Sequence, residues 1–169
     1  MRFFSHITLS ELKNRALDLY PENKIFFSRI KKKKHKSLDS IVHELHHAVF
    51  QEMDCLDCAN CCKTISPTIN YKDIDRLARH LKIKPSRVVE QYLFIDQEGD
   101  YVFRQTPCPF LLPDNYCLVY ESRPKACREY PHTDRPRFYQ LLKLTLKNSQ
   151  ICPAVYEIIE RLKKLKDKF

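Results

Sequence analysis

Cys55-Leu56-Asp57-Cys58-Ala59-Asn60-Cys61-Cys62 holds four of the chain's eight cysteines within eight residues, at the spacing C-x-x-C-x-x-C-C. Buried structural cysteines behave as small hydrophobes and scatter singly among other apolar residues, so a core has no use for this density. Thiolates this close repel one another unless a cation or a covalent bond compensates them. The stretch therefore predicts a metal site or disulfides. The other four cysteines, Cys108, Cys117, Cys127 and Cys152, lie downstream and are expected to fold back onto the same locus.

Composition chooses between the two. A chain of 169 residues is long enough for one domain with a real core. No apolar run approaches the ~18 residues of a membrane span. Met1-Arg2-Phe3-Phe4-Ser5-His6 lacks the apolar segment of a secretory signal, and Glu11 and Asp18 follow soon after. The expected compartment is the cytoplasm, where thiols are kept reduced, and this favours metal ligation over a disulfide framework. Gly99 is the only glycine, which excludes the glycine-rich phosphate loops that need close backbone approach. There is no G-x-S-x-G elbow either.

Charge is concentrated at the ends. Residues 1–36 carry ten Lys/Arg against three Asp/Glu, and residues 161–169 carry five against one. The expected organisation is a basic helical N-terminal arm, 1–36, followed by a cysteine-cluster metal-binding domain, 37–169. The run Lys31-Lys32-Lys33-Lys34-His35-Lys36 reads as a solvated helix end or linker, because like charges in a row repel. Recruitment of RNA or an anionic surface is the sharper alternative.

Helical periodicity dominates the remainder. Thr8-Leu9-Ser10-Glu11 has the form of a capping box ahead of Leu12, Ala16 and Leu17, and Pro21 is placed to open a second helix. Ser37 is expected to cap a helix from Leu38 to about Met53. Inside it, His43-Glu44-Leu45-His46-His47 matches the H-E-x-x-H zinc protease motif. The pair His43 and His47 is predicted to lie opposite the apolar face, on the solvated side, so the protease reading is set aside. Asn70 or Thr68 is expected to cap a helix through Leu81, with Pro85 opening the next. These read as two core helices in preference to a DNA-reading pair. A hairpin is predicted for Phe94-Ile95 against Tyr101-Val102-Phe103, turning at Glu98-Gly99-Asp100. Two helices close the chain, the second beginning at Pro153. The predicted fold is mainly α with a short β-hairpin, a small irregular helical domain stapled by metal.

Cys55, Cys58, Cys61 and Cys62 are followed by Cys108-Pro109-Phe110-Leu111, Cys117 with Tyr120, Arg123-Pro124, Cys127-Arg128-Glu129-Tyr130-Pro131 and Cys152-Pro153. In order and number these resemble the YkgJ-type CxxCxxCC cysteine-cluster family of zinc- or iron-chelating domains, over about residues 50 to 160. The resemblance implies bacterial, cytoplasmic metal chelation with no assigned reaction. Flagellin lysine methylases carry a related cluster, but their activity does not transfer, because this chain has no additional methylase region.

All eight cysteines, Cys55, Cys58, Cys61, Cys62, Cys108, Cys117, Cys127 and Cys152, are candidate ligands. They divide into two four-thiolate sites, or one closed site with spare cysteines. Tetrahedral zinc takes four thiolates and serves structure. Cys55-x-x-Cys58-x-x-Cys61 instead repeats the first three ligands of a bacterial [4Fe–4S] run, and Cys108-Pro109 or Cys152-Pro153 supplies the remote Cys-Pro. The cofactor is thus an iron–sulfur cluster or Zn. Lys63, Arg123 and Arg128 stand beside ligands in sequence and are expected to offset thiolate charge and hydrogen-bond sulfur. No acid–base constellation stands out, so a binding or redox accessory role is read ahead of a metal-dependent enzyme.

Overall fold

The computed structural model describes residues 2–3, 7–33 and 37–166. In chain order they form β1 (Arg2–Phe3), β2 (Ile7–Thr8), α1 (Leu9–Asp18), α2 (Tyr20–Lys33), α3 (Leu38–Gln51), α4 (Cys55–Cys58), α5 (Asn60–Thr64), α6 (Tyr71–Leu81), α7 (Pro85–Tyr92), β3 (Leu93–Ile95), β4 (Tyr101–Phe103), α8 (Lys125–Glu129), α9 (Leu142–Asn148) and α10 (Pro153–Lys164). The fold is mainly α with a short hairpin. The chain divides into two compact units, Met1–Asp54 with Pro131–Phe169, and Cys55–Tyr130.

The first unit is helical. Thr8 caps α1 with the expected box: the Glu11 carboxylate accepts from the Thr8 N–H at 2.9 Å, and Thr8 Oγ1 accepts from the Glu11 N–H at 3.4 Å. Pro21 sits in the first turn of α2, where a missing N–H costs nothing. Ser37 precedes α3, but its side chain makes no capping bond, contrary to expectation; its ψ of −6 is already helical. An Ncap side chain reaches back to the first turn from an extended backbone, which Ser37 does not adopt.

Leu38, Val42 and Val49 of α3 pack with Val155, Ile158, Ile159 and Leu162 of α10 around Phe138. Phe27 and Ile30 of α2 belong to the same core, so the stretch read as an arm buries apolar side chains in this unit. The opposite face of α2 exposes Lys24, Arg29, Lys31 and Lys32. Residues 34–36 of the basic run read as a solvated helix end or linker lie outside the described residues. Both basic ends belong to this unit, whereas Cys55–Tyr130 carries eleven Lys/Arg against ten Asp/Glu. Among the described residues, no helix is long and apolar enough to cross a membrane.

The histidines of α3 are more engaged than solvated side chains would be. His47 is exposed, as expected. His43 is half-buried, with Nε2 3.3 Å from the Arg135 carbonyl oxygen, and His46 Nδ1 lies 2.8 Å from Thr133 Oγ1. Sequence spacing alone could not show the 132–137 segment that meets them.

Burial lowers the pKa of His46 from 6.5; Asp134 opposes the shift, while His47 and His43 add to it. The unfolded chain therefore takes up this proton first, so stability is full above about pH 6.5 and is lost as pH falls below it. Thermal melts should show a larger loss on acidification in the wild type than in His46→Gln; equal losses would refute this role.

The second unit holds the hairpin and seven of the cysteines. Asn70, not Thr68, caps α6: its Oδ1 accepts from the Asp73 N–H at 3.0 Å. Lys82 ends α6 at φ 55, the left-handed position usually given to glycine, and Pro85 opens α7. Leu77, Ala78 and Val88 of this helix pair are buried with Leu93, Phe103 and Phe110. These two helices serve the core, as read. In the hairpin, Leu93 pairs with Phe103 and Ile95 with Tyr101. Gly99 turns it at φ 85, beside an Asp96 carboxylate oxygen that accepts from the Glu98 and Asp100 N–H groups.

Candidate metal centre

The cysteine-rich stretch folds as two short helical turns separated by one left-handed residue. Ala59, between α4 and α5, adopts φ 47. The break lets consecutive C-x-x-C steps present their thiols differently, which one continuous helix would not do. The turns are tied by backbone bonds from Ala59 N–H to the Cys55 carbonyl at 2.8 Å and from Ile65 N–H to Cys61 at 3.0 Å. Cys58 is buried and its sulfur accepts from the Asn60 N–H at 3.4 Å, while Cys55 is exposed. Cys61 Sγ and Cys62 Sγ lie 4.0 Å apart.

Two hydrogen bonds bring the downstream block onto this stretch. Cys108 N–H donates to the Cys62 carbonyl at 2.8 Å. Asn115, at φ 67, turns the chain back so that Leu111 and Cys117 pair as an antiparallel bridge, and its Nδ2 donates to the Leu56 carbonyl at 2.7 Å. Cys108 and Cys117 both pack against the core of this unit. Cys127 lies on α8, a single turn begun by Pro124, whose neighbour Lys125 donates its N–H to Asp73 Oδ1 at 2.9 Å.

Electrostatics show which thiols are neighbours. Cys62 is held down at about 7, first by the thiol hydrogen bond from Cys61, then by the charges of Arg123 and Lys63 acting against burial. Its negative charge raises Cys58, Cys108, Cys117 and Cys127, in each case behind the larger effect of burial. Cys108 is pushed up to about 11 and Cys127 to about 12. Cys127 also feels Cys108 and Cys117, so Cys62, Cys108, Cys117 and Cys127 form one mutually interacting set. Among the described residues, however, no group of three or more His, Cys, Asp or Glu side chains is already arranged so that it could hold a metal ion. The thiols are gathered but not closed onto one point.

The donor chemistry fits a soft metal. Half-buried thiols raised first by burial and then by one another's charge are the groups whose ionised form a bound cation would stabilise. Of the positive side chains expected beside them, Arg123 acts on Cys62, Cys117 and Cys127, and Lys63 acts on Cys58 and Cys62. The Lys63 ammonium also donates to the Cys58 carbonyl at 3.1 Å. Arg123 Nε donates to the Tyr120 carbonyl at 2.8 Å, and its guanidinium lies 3.5 Å over the Tyr120 ring. Arg128 is exposed on α8. Cys152 is placed in the other unit, where it precedes α10 and packs against the helical core.

Sequence reasoning did not single out Asp73. Its carboxylate is 1% exposed and accepts from Asn70 N–H, Lys125 N–H and the Arg76 guanidinium. The local signals were available, since Asn70-x-x-Asp73 is a capping pair and Asp73-x-x-Arg76 an i,i+3 ion pair. Its contact with residue 125 was not.

No solved structure matches the chain. The uncharacterized protein MJ0661 of Methanocaldococcus jannaschii is 31% identical over 86 residues, 49% of this chain and 46% of that protein, so the match spans about half of the relative's length. The family model described as "Putative zinc- or iron-chelating domain" matches residues 54–153, from just before Cys55 to just after Cys152. With that match across more than half of its length, the chain belongs to the CxxCxxCC family.

Proposed function

We propose that this protein is a metal-chelating module that holds zinc or an iron–sulfur cluster through the cysteines of the Cys55–Tyr130 unit, and serves as a binding or redox accessory protein. One observation carries the reading. Cys108, Cys117 and Cys127 come from segments far from Cys62 in sequence, yet the Cys108 N–H donates to the Cys62 carbonyl at 2.8 Å and all three thiols, like Cys58, feel the charge of Cys62. Cys62, Cys108, Cys117 and Cys127 supply the four thiolates that tetrahedral zinc requires. Cys55, Cys58 and Cys61 keep the spacing of three iron–sulfur ligands. A bound metal supplies a Lewis acid or an electron store; Arg123 and Lys63 offset the charge of the thiolates around it. Such a site suits a reducing compartment such as the cytoplasm, where thiolates stay reduced.

Anaerobic purification followed by metal analysis, visible absorption and native mass spectrometry tests this. Bound zinc or iron is expected, with most of it lost in Cys62→Ser and retained in Cys152→Ser. An intact mass matching a metal-free chain with four disulfides would sink the reading. Retention of all metal in Cys62→Ser would remove that residue from the site.

A further inference from the structure

We infer that Asp73 and Arg76 are positioning residues for the metal centre, acting through the segment 122–127 that carries Arg123 and Cys127; this inference rests on the metal reading above. A buried carboxylate is costly unless every oxygen is matched by donors. The match here is directional. Asp73 Oδ1 accepts from the Lys125 N–H at 2.9 Å and from the Arg76 guanidinium, and Oδ2 accepts from the Asn70 N–H at 3.2 Å. Arg76 then reaches over the same segment, donating from Nη2 to the Arg123 carbonyl at 2.6 Å and from Nε to the Ser122 carbonyl at 3.3 Å.

The pair thus grips the chain on both sides of Pro124. Pro124 has no N–H of its own, is buried, and fixes its backbone at φ −50. The carbonyls before it go to Arg76, and the amide after it goes to Asp73. Two side chains matter downstream of that grip. Arg123 projects its charge onto Cys62, Cys117 and Cys127, and Cys127 is itself one of the four mutually interacting thiols. Displacing residues 122–125 would move a proposed ligand and its compensating cation together. The carboxylate–arginine pair therefore acts as an outer support of the kind that orients metal ligands.

The test uses the full-length protein and its variants Asp73→Asn and Arg76→Lys, with Leu93→Ala as a control. Leu93 is fully buried in the same unit, in a core cluster that includes no residue of 122–127, so its truncation weakens the unit at a place other than that segment. Each protein is titrated with Zn²⁺ in competition with a chromophoric chelator. Each is also saturated with Co²⁺ to record thiolate-to-cobalt absorption, with folding followed by circular dichroism. Asp73→Asn is expected to weaken metal binding by about 10–100-fold and to shift the cobalt bands at saturation. Arg76→Lys, which keeps a cation beside Asp73 but loses the forked contacts, should shift them in the same direction. Leu93→Ala should keep the wild-type bands. Wild-type affinity and bands in Asp73→Asn and Arg76→Lys would overturn the positioning role, and so would an equal shift in Leu93→Ala. A wild type that takes up neither zinc nor cobalt would overturn the metal reading and this inference with it.

Discussion

Removing the metal is expected to unfold the Cys55–Tyr130 unit, not merely to empty a site. Its apolar core is small, built around residues such as Leu77, Val88, Leu93, Phe103 and Phe110. Units of this size seldom reach more than about 3–5 kcal/mol from a core alone. Structural zinc supplies an apparent ~10–16 kcal/mol, most of it realised as folding free energy. Burial raises the pKa of Cys108 and Cys127, so ionising these thiols costs free energy that a bound cation would offset. Cys62→Ser should act like chelation, because a hydroxyl is a poor replacement for a soft thiolate. Hydrogen exchange resolved by segment is the measurement. Amides of α6, β3 and β4 should lose protection in the chelated protein and in Cys62→Ser. Undiminished protection in both would mean that metal does not hold this unit together.

The second large effect belongs to the helical unit. Phe138 is fully buried, meets Phe27 edge-on at 6.5 Å between ring centroids, and packs in the core that α3 and α10 share. It reaches that place because the Asp39 carboxylate of α3 accepts from two successive amides, Arg137 N–H at 2.6 Å and Phe138 N–H at 2.9 Å. Phe138→Ala should cost about 3–5 kcal/mol, the transfer free energy of the ring plus the cavity it leaves. Denaturant unfolding followed by circular dichroism would show this as a lower midpoint with an unchanged slope. A loss under about 1 kcal/mol would mean that the core collapses onto the vacated space.

What the sequence by itself determined about this protein is local. The capping box at Thr8, the starts of α7 and α10 at Pro85 and Pro153, and the hairpin turning at Gly99 are all legible, because each rests on the chemistry of a few adjacent residues. The thiol density of Cys55 to Cys62 is legible for the same reason, and it points to the family that the match over residues 54–153 establishes. Periodicity also finds the buried faces of α3 and α10, though not that α2 and Phe138 would complete their core. Only the tertiary structure decided the rest. It breaks the cysteine stretch at Ala59, groups Cys62 with Cys108, Cys117 and Cys127, and places Cys152 among the helices of the other unit. It also sets His43 and His46 against the 132–137 segment, and buries Asp73 against an amide that lies 52 residues away. Backbone amides and carbonyls carry no signature in sequence, so a charged side chain whose partners are backbone groups of a distant loop looks like any other surface charge until the chain has closed around it.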